Sequence, residues 1–395
     1  MNYRFSDKVS TLKGSAIREI FKFTVDPTVI SFAAGNPAPE SFPYKELAPI
    51  AQNILSEMGD FALQYGITEG YAPLIEKVKS RLKDKFGIGT ETDDVIITTG
   101  GQQGVELSAK VLLNEGDVVI TEDPSFIGAL NAFRSYGAVL KGVPLNDDGM
   151  DLQVLKSTLE NNKNVKFIYV IPTFQNPSGV TMSLENRKKL LEIAAEYDVI
   201  ILEDNPYGEL RFEGEDIPTI KSMDTEGRVI YFGSFSKILS PGIRIGFTCA
   251  NKELLSKIVI CKQVSDVHTP LFLQMLTNAY MEQCDIDSHI LEIRKLYKVK
   301  CAAMLEAADK YLDKRIKITH PEGGLFLYVT MPDKTDISKL CQDLGKNKVA
   351  VVPGATFSPD LTVPSYSVRL NFSMPSLENI DKGMKILGEV TKKYL

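Results

Sequence analysis

From Asp94 onward, short apolar runs rich in β-branched residues alternate with amphipathic stretches. The runs are VIITT (95–99), VVIT (118–121), KFIYVI (166–171), VIILE (199–203), VIYFG (229–233) and IRIGFT (243–248). Apart from threonines and the single charges Lys166, Glu203 and Arg244, each run is apolar, which suits strands covered on both faces. The stretches 102–113, 125–136 and 183–196 between them have helical spacing. Strands separated by helices predict an α/β unit around a mainly parallel sheet.

The flanks read differently. A short amphipathic piece spans Ala16 to Phe23, and SFAAGNPAPESFP (31–43) is too rich in Gly and Pro for a regular element. Residues 45–58 and 70–86 predict helices, and 252–310 is mostly helical. The remainder, 311–395, combines KITH (317–320), LFLYVT (325–330), VAVVPG (349–354) and SVRLNFS (367–373) with helices near 336–346 and 376–393. That pattern predicts a smaller α+β unit.

Composition narrows the field. A chain of 395 residues exceeds what one core holds, which is about 250–300 residues. Apolar residues make up 44%, charged residues 24%, and the net charge is −6. This excludes a disordered or fibrous chain and gives no diffuse attraction to nucleic acid or anionic lipid. Neither is expected as a partner. The five cysteines are scattered and form no CxxC, as expected of thiols in a reducing compartment. The three histidines lack ligand spacing, so no metal is expected. The start, MNYRFSDKVSTLKG, has no signal-type apolar core, and no run reaches the ~18 apolar residues of a membrane span. A cytoplasmic protein is the expectation.

Five polar or Gly-rich loops follow strands of the predicted sheet, where ligands gather in open α/β sheets. In SFSK (234–237), Lys237 follows a strand and Arg244 comes seven residues later. An amine there can form a Schiff base with an aldehyde cofactor, and an arginine with hydroxyls can hold a phosphate. Alone, the tetrapeptide fits a surface lysine beside a turn better. TTGGQQG (98–104) ends one strand and opens a helix, a place for an anion on free N–H groups, or simply a tight turn. It is neither of the nucleotide-binding glycine patterns. In LEDNPYGEL (202–210), Glu203 and Asp204 point to opposite faces of a strand, so only one carboxylate enters a site. A carboxylate facing a pyridine nitrogen keeps it protonated and electron-withdrawing. FQNPSG (174–179) offers Asn176, and EDPSF (122–126) offers Phe126 as a stacking face. Both also suit plain turns. Separately each loop is weak; together they serve a phosphate, a ring, an aldehyde and a ring nitrogen.

On these motifs the chain resembles the fold-type I pyridoxal-phosphate aminotransferases. Within them it is similar to the 2-aminoadipate and broad-specificity group, which is related to effector domains of transcription regulators. The likeness runs from IRE at Ile17 to the final helix. It implies an N-terminal segment (1–44) against the active site, a large cofactor-binding domain (45–285) with a mainly parallel seven-stranded sheet, and a small α+β domain (286–395). It implies pyridoxal 5′-phosphate as cofactor, with Lys237 as Schiff-base lysine and proton carrier. Asp204 would pair with the pyridine nitrogen. Asn176 and Tyr207 would bond the ring oxygen. Gly101, Gln102, Ser234, Ser236 and Arg244 would hold the phosphate, joined by Tyr65 from a neighbouring subunit. Phe126 would replace a commonly stacked tyrosine, and Gly101 stands where relatives often carry serine.

By the same resemblance, Arg369 would grip the substrate α-carboxylate, and Gly35 and Asn36 in AAGNP would line that site. Arg18 resembles a mobile arginine used for side-chain recognition. The implied reaction is ping-pong transamination between an L-amino acid (2-aminoadipate, branched-chain or aromatic) and a 2-oxo acid such as 2-oxoglutarate. The implied assembly is a homodimer with shared sites. The scaffold also supports β-lyases, and related domains act as non-catalytic effector sensors behind an N-terminal DNA-binding domain. With the likeness beginning near residue 17, no room for such a domain is expected.

Overall fold

The structure is a computed structural model that describes residues 3–6 and 26–395. Arg18 and the piece around Ala16–Phe23 lie outside the described residues. Among those described, no helix is long and apolar enough to cross a membrane.

The strands in chain order are β1 (Ile30–Ser31), β2 (Asp93–Thr99), β3 (Val118–Asp123), β4 (Val139–Asn146), β5 (Gly149–Met150), β6 (Val165–Val170), β7 (Ile200–Asp204), β8 (Val229–Ser234) and β9 (Ile245–Asn251). Then come β10 (Lys317–Ile318), β11 (Phe326–Thr330), β12 (Val349–Ala350), β13 (Val352–Pro353) and β14 (Ser367–Asn371). The large sheet has the order β2-β9-β8-β7-β6-β3-β4-β5. Seven long strands are thus joined by the two-residue β5, which hairpins back on β4. From β8 across to β4 every pairing is parallel, while β9 runs against both its neighbours. Helices Gly101–Leu112, Ile127–Ser135, Leu184–Glu196 and Lys252–Ser265 connect or flank these strands.

The central strands are buried along their length because both faces are covered. Val229, Ile230 and Phe232 in β8 and Ile201 and Leu202 in β7 have no exposed surface. Fully burying each such side chain contributes about 1.5–3 kcal/mol. The antiparallel strand β9 has a specific consequence for function. Its first residues lie at the edge where the parallel strands end: Ile245 faces Thr99, and Gly246 faces Ser234. The loops after β2 and β8 and the entry to β9 therefore meet at one place.

The small sheet has the order β10-β11-β14-β13, entirely antiparallel. The run VAVVPG does not form one strand. It divides into β12, which pairs in parallel with β1, and β13, which pairs with β14. That division ties the N-terminal segment to the C-terminal unit. Residues 30–36 then thread between the small sheet and the loop after β8. The predicted strand IRIGFT also starts later than expected. Pro241–Ile243 forms a 3-10 turn, and Arg244 adopts a left-handed backbone with φ of 55°. β4 and the helix Leu152–Asn161 escaped the sequence pattern altogether.

Candidate active site

The parallel strands β2, β3, β6, β7 and β8 deliver their five loops to one edge. Strand alternation settles the two acids that end β7. Asp204 accepts a hydrogen bond from the Tyr169 hydroxyl at 2.7 Å. Glu203, one residue earlier, faces away and accepts from the backbone N–H groups of Ile220 (3.0 Å) and Lys221 (2.7 Å). It caps a short helix and takes no part in the site. Burial pushes the Asp204 carboxyl up to about 6, against the lowering effect of Tyr169. Glu122 at the end of β3 is fully buried beside it. Burial first, and the Asp204 charge as a smaller cause, push Glu122 up to about 8, opposed by bonds from Gln175 and Ile171. Among the described residues Asp204 has no cationic partner. A protonated pyridine nitrogen would supply that missing countercharge.

Lys237 sits in the turn after β8 and donates through Nζ to the Gly35 carbonyl at 2.7 Å. Burial, then the Arg369 and Arg244 guanidiniums, lower it to about 8. The segment 30–36 thus provides a neutral acceptor where a carboxylate would have stabilised the ammonium.

Arg369 projects from β14 and is 2% exposed. Its Nη1 donates to Asn176 Oδ1 at 3.0 Å and its Nη2 to the Ala33 carbonyl at 2.7 Å. Phe326 and Phe357 stack on the guanidinium at 4.3 and 4.9 Å. Nε has no partner despite its burial. Every group touching this cation is neutral, and burial lowers it to about 10. A buried guanidinium with an orphan N–H and no countercharge is prepared for an arriving carboxylate. Asn176 also donates to the Tyr207 hydroxyl at 3.3 Å, and burial raises that phenol.

The glycines of TTGGQQG explain the other half. Gly100 has φ of 74° and lies under Arg244; a Cβ there would meet Arg244 Nη2 at 2.3 Å. Arg244 Nη2 donates to the Thr99 carbonyl at 3.3 Å. Gly246 is as constrained, because its Cβ would stand 2.6 Å from the Gly100 carbonyl carbon. Gly101 opens a twelve-residue helix whose first N–H groups lack intrahelical partners. A Cβ on Gly101 would clear Ser234 Cβ by 3.9 Å, so a serine fits there sterically. Ser234 Oγ donates to Ser236 Oγ at 2.9 Å and accepts from the Ser236 N–H at 3.1 Å. Helix N–H groups, two hydroxyls and a guanidinium form an anion cradle.

Not every expected residue joins this cluster. Gln102 is exposed and donates to the Gly128 carbonyl at 3.0 Å, beside Phe126. Asn36 contributes its carbonyl to Ser373 Oγ at 2.7 Å and leaves its side chain exposed. Tyr65 stands apart, 78% exposed, with its ring edge-on to His268 at 5.8 Å. Sequence reasoning passed over Tyr169, Glu122, Phe326 and Phe357. Tyr169 carries the one hydroxyl in KFIYVI, which could have marked it; the phenylalanines carry no such signal. Among the described residues no three His, Cys, Asp or Glu side chains gather as a metal site.

The donor set fits pyridoxal phosphate: an amine of lowered basicity, a buried carboxylate lacking a cation, an anion cradle and a carboxylate clamp. Such a set on the carboxyl edge of an α/β sheet defines a fold-type I pyridoxal-phosphate site. The model of the aminotransferase class I and II family matches residues 27–387, and the chain belongs to that family. It is 41% identical to aromatic-amino-acid aminotransferase 1 of Thermococcus litoralis, over 99% of this chain and 94% of that protein. It superimposes with a TM-score of 0.95 on a Pyrococcus horikoshii kynurenine aminotransferase in complex with PMP, at 42% identity, covering 99% and 97% of the two chains. An α-aminoadipate aminotransferase from Thermus thermophilus, complexed with N-(5′-phosphopyridoxyl)-L-leucine, gives 0.91 at 38% identity, covering 99% and 97%.

Proposed function

We propose that this pyridoxal-phosphate-dependent aminotransferase moves the amino group of a 2-aminoadipate, branched-chain or aromatic L-amino acid to 2-oxoglutarate. The observation that carries the reading is Arg369, a buried cation enclosed by neutral groups and set within the field of Lys237. The donor range is supported by the relatives, which are named for aromatic amino acids, kynurenine and α-aminoadipate. Apolar pocket differences separate such side chains by only ~1–3 kcal/mol per methylene, so overlapping donors are expected.

When bound, pyridoxal phosphate supplies an aldehyde and a ring that withdraws electrons from the substrate Cα. Arg369 orients the α-carboxylate by charge-assisted hydrogen bonds. Lys237, destabilised as an ammonium, would take the Cα proton at Nζ and return it to the carbon on the other side of the substrate nitrogen. Asp204 would balance the charge on the ring nitrogen, and Tyr169 holds Asp204 in place. Asn176 and Tyr207 would hold the ring oxygen, and Phe126 would offer the ring a stacking face. Gly101, Ser234, Ser236 and Arg244 retain the phosphate and Gly35 lines the carboxylate end, while Gln102 and Asn36 would join them only by turning inward side chains that here lie exposed.

The active form is a homodimer in which Tyr65 of one subunit completes the phosphate site of the other. Phe61, Leu63, Tyr65 and Ile67 support this, each at least half exposed along one segment. Several large apolar side chains left exposed along one segment suit an interface. Steady-state turnover of L-2-aminoadipate, L-leucine and L-phenylalanine with 2-oxoglutarate tests the reading. Formation of glutamate with at least one donor is expected. Release of ammonia and pyruvate from a β-substituted amino acid, with no glutamate formed, would assign a β-lyase instead.

A further inference from the structure

The helix Ile127–Ser135 follows Phe126 and meets the small antiparallel unit both at its start and in its last turn. At its start the Ser125 N–H donates to the Phe357 carbonyl at 2.8 Å, and Ile127 packs on the cluster of Ala33, Ala350, Val352 and Phe357. In its last turn Arg134 Nη2 donates to two successive backbone carbonyls, those of Ser358 and Pro359, each at 2.9 Å. Its Nη1 donates to Asn131 Oδ1 at 3.2 Å. All these partners are neutral oxygens, and burial lowers the guanidinium below an ordinary arginine.

An arginine in the last turn of a helix is favoured there by the helix dipole alone. Arg134 does more, because its Nη2 reaches a different part of the chain. Hydrogen bonds from a charged donor are roughly twice as strong as neutral ones. The gripped segment is braced within itself. Ser358 Oγ donates to the Asp360 carbonyl at 2.7 Å, and the Thr362 N–H and Oγ1 donate to Asp360 Oδ1 at 2.8 and 2.7 Å. The segment leads directly out of the 3-10 turn Gly354–Phe357. Holding Ser358 and Pro359 therefore holds Phe357, whose ring lies on the Arg369 guanidinium at 4.9 Å. Ala33, in the same apolar cluster, supplies the carbonyl that accepts from Arg369 Nη2 at 2.7 Å.

We infer that Arg134 is a positioning residue for substrate binding: it fixes the Phe357 turn and, through that ring, the Arg369 guanidinium that takes the α-carboxylate. The inference rests on the reading of Arg369 as that clamp. Arg134 makes no hydrogen bond to Arg369, Lys237 or Asp204, so its effect falls on the carboxylate end and not on the cofactor. Phe326 also covers the Arg369 guanidinium, at 4.3 Å, so loosening the Phe357 turn frees Arg369 to shift without expelling it.

The test is equilibrium dialysis of radiolabelled 3-phenylpropionate, a carboxylate with no amino group to react, against cofactor-loaded protein. Wild type is compared with Arg134→Ala, Phe357→Leu, the double variant and Arg369→Lys. A small misplacement of a clamping group is costly, so Arg134→Ala is expected to bind the carboxylate about tenfold more weakly and to raise KM for L-phenylalanine alike, with kcat within about twofold. Pyridoxal phosphate is expected to leave Arg134→Ala no faster than wild type, which a generally loosened fold would not allow. The double variant is expected to bind as Phe357→Leu does, because both changes act on one contact. Unchanged carboxylate binding in Arg134→Ala, beside weakened binding in Arg369→Lys, overturns the inference and leaves the clamp standing. Unchanged binding in both variants, or no binding by wild type, overturns the clamp reading and the inference with it. Equal losses of carboxylate and cofactor, or a double variant weaker than Phe357→Leu by the full Arg134→Ala factor, make Arg134 a general support of the fold and also overturn the inference.

Discussion

Two lysines in this molecule, one buried and one half-buried, have opposite surroundings. Lys221 donates to Asp93 at 2.9 Å and Asp224 at 3.0 Å, with its side chain 1% exposed. Burial opposes its charge, yet the two carboxylates outweigh burial and raise it above an ordinary lysine. Lys237 has a carbonyl for its partner and two guanidiniums in its field, and it falls to about 8. The first arrangement locks a charge and holds β2 to the loop after β7. The second leaves an amine ready to release its proton and react. Chemistry in this fold is concentrated where buried charge is left uncompensated, at Lys237, Asp204 and Arg369 together.

The comparison can be broken by exchanging what each lysine does. Lys237→Ala should lower turnover by ~10²–10⁴-fold, the usual contribution of a positioned base, and abolish the visible band of the lysine-bound cofactor. Its thermal midpoint without cofactor should not fall, because the residue removed is a destabilised ammonium. Lys221→Ala should do the reverse. Removing one partner of a buried ion pair costs about 3–5 kcal/mol, read in denaturant melts, with turnover per folded molecule preserved. Arg369→Lys keeps the charge and loses the planar fork. It should reduce kcat/KM for the amino acid by roughly 1.5–3 kcal/mol, the worth of a hydrogen bond to a charged group.

The finer predictions concern the paired acids. Glu122 titrates at about 8 when folded and at the ordinary 4.5 when unfolded. Between those values the folded protein binds the extra proton, so stability falls as pH rises through the window. Glu122→Gln should flatten that fall in urea melts of cofactor-free protein. Lys237 acts with the other sign. Its folded value is below the ordinary 10.5, so its contribution to stability rises from about pH 8 to 10.5, and Lys237→Ala should remove that rise. The smallest effect is expected of Tyr169→Phe. Losing one bond to Asp204 should move that carboxyl further up and shift the acidic limb of the rate profile toward higher pH.

Much of this architecture was legible in the chain. Largely apolar runs gave six strands of the large sheet, and strand alternation separated Asp204 from Glu203. β4 was missed because Gly142 and Pro144 interrupt VLKGVPLN and half its positions are exposed. The helix Leu152–Asn161 was missed although Asp151 caps it, accepting from Gln153 and Val154. The contacts that set reactivity join distant parts of the chain. Arg369 and Ala33 are 336 residues apart, and Lys237 and Gly35 are 202 apart. No local pattern announces such a pairing. The resemblance named Arg369 as the carboxylate clamp, but the aromatic faces enclosing it and its orphan Nε were visible only in three dimensions.

The most direct test is a single-turnover half-reaction. Cofactor-loaded protein is mixed with an L-amino acid in the absence of any oxo acid, and absorbance and products are followed. The account predicts that wild type yields one equivalent each of pyridoxamine phosphate and the matching 2-oxo acid per chain, while Lys237→Ala yields neither on that timescale. An unchanged rate in Lys237→Ala, or release of ammonia with the cofactor returned to its starting form, would contradict it.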